Sequence, residues 1–184
     1  LSTRKIPLTG VSMFPNYTET LPVRQARPEA PAYGGLTLAR DSQVFEDLRD
    51  RADAARAAGN PPKVLLACLG ARRDFGGREG FTSNLYHVGG IETVLAEGAT
   101  PEDFARQLAE AGAKVAVLCS SAKVYAGQGI AVAEALRAAG AEQVLVAGQI
   151  AELGEGGEAA VDGNVFDGMN VVDLLTTTLE KLGA

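Results

Sequence analysis

The fold of this 184-residue chain is decided by one stretch, Lys63-Val64-Leu65-Leu66-Ala67-Cys68-Leu69-Gly70. The apolar part has the length of a strand, and because it is continuous rather than alternating, it indicates a strand buried on both faces. Such strands occur in parallel sheets that are covered by helices on each side. The stretch therefore predicts an α/β fold.

The segments around this stretch alternate between strand and helix. We predict helices over 42–58, 78–88, 101–112, 124–139 and 170–182, and further strands over 91–95, 114–119, 142–147 and about 160–165. Thr100 followed by Pro101 is typical of a helix start. Alternation with short connections predicts a flavodoxin-like, doubly wound, five-stranded parallel sheet of order 2-1-3-4-5, with any ligand at the carboxyl ends of strands 1, 3 and 4.

Composition changes near Asp41, which predicts an extended N-terminal arm over 1–41 and an α/β domain over 42–184. The first part holds most of the eight prolines and shows no helical or strand periodicity. It is too apolar for a solvated linker, since it includes Ile6 and Phe14, so we expect it to lie along another surface. The chain begins at Leu1 without an initiator methionine, which indicates a fragment of a longer protein.

Overall composition excludes several classes of function. The net charge of −6 makes nucleic acid a poor partner, and no apolar run reaches the ~20 residues of a membrane span. Cys68 and Cys119 each end an apolar run and form no CxxC motif, which indicates buried thiols in a reducing, cytoplasmic setting.

Three loops, 70–77, 120–127 and 148–157, are expected to form any ligand site. They contain no Walker Gly-Lys-Ser/Thr sequence, and the glycines after the first strand lack dinucleotide-binding spacing. A phospho-acceptor domain would place acidic residues at the ends of strands 1 and 3, where this chain has Gly70 and Ser120. The common ligands of this fold are therefore excluded.

A family resemblance is carried by three stretches: the strand 63–70 and two further ones, Arg4-Lys5-Ile6-Pro7-Leu8-Thr9-Gly10-Val11-Ser12-Met13-Phe14-Pro15 and Asp162-Gly163-Asn164-Val165-Phe166-Asp167-Gly168-Met169-Asn170-Val171. Together they are similar to the small, non-catalytic (beta) subunit of methylmalonyl-CoA mutase, in its C-terminal cobalamin-binding-like domain. The resemblance covers essentially the whole chain.

Cobalamin-binding domains of this kind carry the fingerprint Asp-x-His-x-x-Gly, then Ser-x-Leu, then Gly-Gly. The matching positions here are Arg72, Asp74 and Gly77, with Phe75 at the histidine position in a second register, then Ser120, Ala122, Gly148 and Gln149. Neither register supplies a histidine, and Gln149 replaces a glycine with a bulkier side chain. The resemblance thus implies a degenerate cofactor site, with no catalytic residue, no metal ligand and no cofactor bound by this chain.

The loop after strand 1 has two interpretations. It can be a structural or interface loop, in which Asp74 pairs with Arg72, Arg73 or Arg78, or it can keep a contact to an anion or a cofactor tail. Ser120 and the serine after it are expected to cap the next helix. The single histidine, His87, is expected near a helix C-terminus, where a protonated ring is favourable.

The resemblance implies a heterodimer with a large catalytic subunit, which binds adenosylcobalamin and interconverts methylmalonyl-CoA and succinyl-CoA in propionate metabolism. One alternative is a corrinoid-binding carrier module that lacks a protein cobalt ligand. A further alternative is an unrelated flavodoxin-like regulatory domain, for which an apolar, proline-rich arm would have no evident use.

Overall fold

The structure is a computed structural model that describes residues 2–20 and 40–184. Within these residues the strands form one parallel sheet in the order β2-β1-β3-β4-β5, which confirms the predicted flavodoxin-like fold and its strand order. The strands are β1 (Lys63–Leu69), β2 (Glu92–Gly98), β3 (Val115–Cys119), β4 (Gln143–Ala147) and β5 (Gly163–Val165).

Helices cover both faces of the sheet. They are α1 (Gln43–Ala57), α2 (Arg72–Val88), α3 (Pro101–Ala111), α4 (Ala122–Val124), a π-helical turn (Tyr125–Gly129) that continues into α5 (Ile130–Ala138), a 3-10 turn (Ile150–Leu153), α6 (Gly157–Ala160) and α7 (Val171–Leu182). None of the described helices is long and apolar enough to cross a membrane.

Strand β1 shows why the helices form two layers. Val64, Leu66 and Cys68 pack with α1, α2 and α7, whereas the alternate residues of the strand pack with α3 and α5. Because successive side chains of a strand point to opposite faces, the apolar run supplies both cores. Every residue of the strand after Lys63 is buried, as expected for a central parallel strand.

Residues 2–20 pack against the α/β domain. The Ser2 carbonyl accepts a hydrogen bond from the Val171 backbone N–H at 2.8 Å, and Arg4 donates to the Asn84 side chain at 2.9 Å. Val11 packs against the core cluster on the α1, α2 and α7 side. The remainder of the predicted arm, 21–39, lies outside the described residues, so the division at residue 41 stays a prediction.

Several predicted boundaries are wrong. Helix α2 begins at Arg72 rather than near residue 78, so most of the predicted loop 70–77 is helical. Strand β2 runs three residues beyond the predicted end, to Gly98. The predicted loop 148–157 contains the 3-10 turn and the first residue of α6, and α6 covers the first position of the strand predicted at about 160–165.

Candidate functional site

Strands β1, β3 and β4 end side by side at Gly70, Ser120 and Gly148, which together define the carboxyl edge of the sheet. Ligands of this fold class bind at that edge. Gly70 and Gly148 have φ of +86° and +124°, a region that residues with a Cβ atom rarely adopt. For a ligand site to exist, the site residues predicted from the sequence would have to lie at this edge.

The first turn of α2 is held by Asp74. Its carboxylate accepts a hydrogen bond from the Ala71 backbone N–H at 3.0 Å, which starts the helix directly after Gly70. A Cβ atom at position 70 would lie 3.1 Å from that carboxylate, so the turn is closely packed. The possible pairing of Asp74 with Arg72, Arg73 or Arg78 is not formed among the described residues: Arg72 lies 3.7 Å from Glu79, and Arg78 pairs with Glu152.

Phe75, the histidine position in one register, is buried in the core with only 1% of its surface exposed. Its ring belongs to the cluster formed with α1 and α7, which places it beneath α2 rather than at the edge. Gly77, the end of the fingerprint in the other register, is exposed and lines a cavity at the end of β4 together with Gly148. Phe75 does not line that cavity, so the two positions do not converge on one site.

Ser120 and Tyr125 form the centre of the carboxyl edge. The Ser120 hydroxyl donates to the Leu69 carbonyl at 2.7 Å, and its backbone N–H donates to the Tyr125 hydroxyl at 2.8 Å. The Tyr125 hydroxyl in turn lies 2.8 Å from the Leu118 carbonyl and 3.0 Å from the Ala147 carbonyl, either of which can accept its proton. One phenol thus joins the ends of β3 and β4.

Burial, the largest effect on this phenol, raises the pKa of Tyr125, so its hydroxyl is protonated at neutral pH and can donate. The predicted serine cap is wrong: the serine at the N-terminus of α4 makes no side-chain capping bond, and Ser120 bonds to strand β1 instead. The serine is used to join strands rather than to begin a helix.

Arg78 lies over the end of β4. Its guanidinium donates to the Ala147 carbonyl at 2.9 Å, lies 2.7 Å from the Glu152 carboxylate and stands 5.2 Å from the centre of the Tyr125 ring. A Cβ atom at Gly148 would come within 2.7 Å of the same guanidinium, so a larger residue there would have to displace the guanidinium from its place over β4. The place where ligands of this fold bind is therefore taken by three side chains of the protein, those of Arg78, Tyr125 and Glu152.

The remaining fingerprint positions lie at the surface. Ala122 and Gln149 are exposed, and the Gln149 backbone N–H donates to Glu152 at 3.1 Å. Gln149 thus does not fill the space between the sheet and the helices, a role that Tyr125 takes. A mostly apolar cavity of about 200 Å³ remains beside them, lined by Gly77, Arg78, Phe81, Ala147, Gly148, Val165, Phe166 and Asp167.

His87 lies far along α2, in its last turn, as predicted. Its pKa is lowered by burial first and by the nearby Arg49 cation second, so the ring is neutral at pH 7. Protonation would be favoured by the helix C-terminus, but burial and Arg49 favour the neutral ring. Across residues 2–20 and 40–184, no group of three or more His, Cys, Asp or Glu side chains could hold a metal ion.

Two residues that define the carboxyl edge, Tyr125 and Glu152, were missed by sequence reasoning, and Arg78 was named only as a possible partner of Asp74. Tyr125 sits in an apolar helical segment, where an aromatic residue is typical of the core. The sequence offers two signals for an ion pair at this edge, Arg78 directly after Gly77 and Glu152 three residues beyond Gln149. Neither signal specifies a pair without the strand order that brings the two loops together.

The arrangement defines a class of protein: a flavodoxin-like α/β domain whose ligand edge is filled by its own side chains. No protein-family model matches the chain. Curated relatives do. The chain is 48% identical over 186 residues to the methylmalonyl-CoA mutase small subunit of Propionibacterium freudenreichii subsp. shermanii, a match that covers 100% of this chain and 29% of that protein.

Two other relatives agree. The methylmalonyl-CoA mutase small subunit of Streptomyces virginiae is 42% identical over 100% of this chain and 29% of its own length. A probable methylmalonyl-CoA mutase small subunit of Mycobacterium bovis is 34% identical over 98% of this chain and 28% of its own length. The predicted resemblance is confirmed: the chain is a homologue of a segment of the methylmalonyl-CoA mutase small subunits and spans less than a third of their length.

Among solved structures, a 3-dehydroquinate dehydratase-like protein from Bifidobacterium longum aligns with 67% of this chain and 99% of its own. The sequence identity is 14% and the TM-score 0.40, values too low to support an argument about function.

Proposed function

We propose that this chain is a non-catalytic module of a methylmalonyl-CoA mutase small subunit with a degenerate cobalamin site. In this proposal the large subunit of a cytoplasmic heterodimer binds adenosylcobalamin and interconverts methylmalonyl-CoA and succinyl-CoA. This chain contributes no catalytic group and no metal ligand, and acts through its contacts with the large subunit. The proposal rests on the confirmed resemblance and on the geometry of the carboxyl edge.

The observation that carries the proposal is the position of Tyr125. Its ring is fully buried, and its hydroxyl lies within hydrogen-bond distance of backbone groups of Ser120, Leu118 and Ala147. A cofactor group that entered between the sheet and α4 would have to displace this ring and leave a buried backbone N–H without a partner. The residues present therefore do not fit a corrinoid at this edge.

The electrostatics of the first turn of α2 support the same proposal. Phe75 offers no lone pair to a metal and is committed to the core. Asp74 already accepts the Ala71 N–H, and Arg72 adds a permanent positive charge near the same turn. No side chain of this turn is thus free to serve as a nitrogen ligand or to orient one.

A spectroscopic experiment tests the degenerate site. The purified chain is mixed with hydroxocobalamin and passed through a gel-filtration column while absorbance is recorded at corrin and protein wavelengths. We expect the protein peak to elute without corrin absorbance. Co-elution of the corrinoid with a shifted spectrum would instead support the carrier-module alternative.

A second experiment tests the partner. A tagged form of the chain, expressed in its source cell, is expected to co-purify with a mutase large subunit, and the mixture to convert methylmalonyl-CoA only when that subunit is present. Turnover by the isolated chain with adenosylcobalamin would contradict the proposal.

Restoring the missing ligand is a sharper test of the site. The Phe75→His variant is expected to bind hydroxocobalamin no better than the wild type, because the new imidazole would lie in the core and Asp74 is not available to orient it. Loss of such an orienting partner alone costs tenfold or more in metal affinity. The matched control is Phe104→His, equally buried on the opposite face of the sheet. A micromolar or tighter complex of Phe75→His alone would show that the site is intact.

A further inference from the structure

His87 joins the N-terminal segment to the α/β domain. Its ring stacks on Tyr17, with centroids 4.1 Å apart and planes inclined by 23°. The contact brings together the segment 2–20, helix α2 and, through the residues described next, strand β2 and helix α1. We name the group formed by Tyr17, Arg49, Ser83, His87 and Thr93 the His87 clasp.

Hydroxyl groups hold the other edge of the imidazole. The His87 Nε2 atom lies 3.1 Å from the Thr93 hydroxyl and 3.5 Å from the Ser83 hydroxyl, and these hydroxyls lie 2.8 Å from each other. If Ser83 donates to Thr93 and Thr93 donates to Nε2, both hydroxyl protons have an acceptor. In this arrangement the ring proton lies on Nδ1. A neutral ring satisfies this arrangement, whereas a protonated Nε2 would donate to Thr93 and reverse the hydrogen bonds, so that the Ser83 proton would need an acceptor outside the group.

The charges around the ring favour the same neutral form. Arg49 of α1 faces His87 and also donates to the Asn16 backbone carbonyl, next to the stacked Tyr17. The charged group of opposite sign near the ring is Glu92 of β2, and its attraction is smaller than the combined effects of burial and Arg49. A second positive charge at position 87 would thus be repelled by the cation that binds the segment.

We propose that the His87 clasp is a pH-sensitive contact. The neutral imidazole holds the turn at residues 16 and 17 on the domain, and protonation of the imidazole releases this turn. In the attached state the pKa of His87 lies below its ordinary value of about 6.5, and the pKa of the detached ring moves toward that value because the ring loses its cover by Tyr17. The stabilisation is therefore full above about pH 6.5 and is lost as the pH falls through the attached-state pKa. This inference does not depend on the proposed function.

The magnitude follows from proton binding by the detached ring. Between pH 7.5 and pH 5.5, a group with a pKa of about 6.5 can increase the detached fraction by at most about tenfold, and less if the attached ring begins to titrate in that range. This sets an upper bound for the experiment.

The test uses the whole chain and two readouts. Because the chain has a single histidine, its imidazole gives one NMR signal whose titration reports His87 directly. Amide hydrogen exchange at 16–20, corrected for the intrinsic pH dependence of exchange, reports release of the turn. For the wild type we expect a titration midpoint below 6.5 and a several-fold rise in corrected exchange on going from pH 7.5 to pH 5.5.

Two variants separate this role from a purely structural one. His87→Phe keeps an aromatic ring for the stack and leaves Ser83 and Thr93 bonded to each other, so its corrected exchange should be independent of pH. Tyr17→Leu removes the stack, so the histidine midpoint should rise toward 6.5. A wild-type exchange rate that does not change with pH, or an equal pH dependence in His87→Phe, would overturn the proposal.

Discussion

Replacing Tyr125 with phenylalanine removes one hydroxyl from the centre of the carboxyl edge without changing the volume of the ring. The hydroxyl accepts from the Ser120 backbone N–H and donates to one of two carbonyls. The Ala147 carbonyl keeps its bond from Arg78 in the variant. The Ser120 N–H is buried and loses its partner, so this group determines the cost.

A buried backbone donor left without a partner costs about 1–3 kcal/mol. We expect Tyr125→Phe to lower the free energy of unfolding by about 2 kcal/mol. With a urea dependence of about 2 kcal/mol per molar for a domain of this size, the midpoint should fall by about 1 M. In a thermal melt, the same loss corresponds to about 4–8 °C.

Tyr86 supplies the matched control. It is also fully buried, but its hydroxyl accepts no backbone N–H within the described residues; it lies near the Thr178 hydroxyl, which donates to the Leu174 carbonyl at 2.8 Å. Tyr86→Phe should therefore lower stability by clearly less than Tyr125→Phe, since it leaves no buried backbone donor without a partner. Urea unfolding of both variants, followed by circular dichroism, decides the matter. Equal losses in the two variants would refute the role we assign to the Tyr125 hydroxyl.

Two further substitutions test the assignment of core and surface. Phe75→Ala should cost about 3–5 kcal/mol in urea unfolding, because the ring is fully buried, whereas Phe14→Ala should change stability by less than about 0.5 kcal/mol, because 76% of that side chain is exposed. Burial disfavours ionisation of Asp162 and would raise its pKa. The Val144 N–H and the Arg137 guanidinium outweigh this effect, so the pKa of Asp162 is lowered. Its stabilising effect should thus be present above about pH 4 and lost below, so the difference in unfolding free energy between wild type and Asp162→Asn should shrink between pH 5 and pH 3; a constant difference would contradict this.

The elements that sequence reasoning placed well are those with strong local signals. The apolar run of β1 needed no tertiary information, because it is buried on both faces. Helix α3 begins where Thr100 and Pro101 predict, and the Thr100 hydroxyl accepts from the Asp103 backbone N–H at 3.4 Å. The start of α2 was missed because Gly76 and Gly77 are typical of loops, whereas Asp74 caps the helix before them.

The candidate site was predicted only as an absence. The sequence shows that positions 70–77, directly after β1, contain no histidine, and that observation requires no structure. What takes the place of a ligand depends on contacts between distant loops: Arg78 and Glu152 are 74 positions apart, and their pairing depends on β4 lying next to β3. Tyr125 likewise belongs to a helical segment whose π-helical turn has no recognisable sequence signal.

Cys68 and Cys119 lie directly opposite each other on β1 and β3, with 1% and 0% of their surfaces exposed. The neighbouring thiol and burial both raise the pKa of Cys119, so neither access nor ionisation favours its reaction in the folded protein. An alkylating reagent can therefore react with these thiols only after β1 and β3 separate. The rate at which both cysteines are labelled together therefore reports the rate at which β1 separates from β3. Mass spectrometry can measure this double labelling in a crude cell lysate.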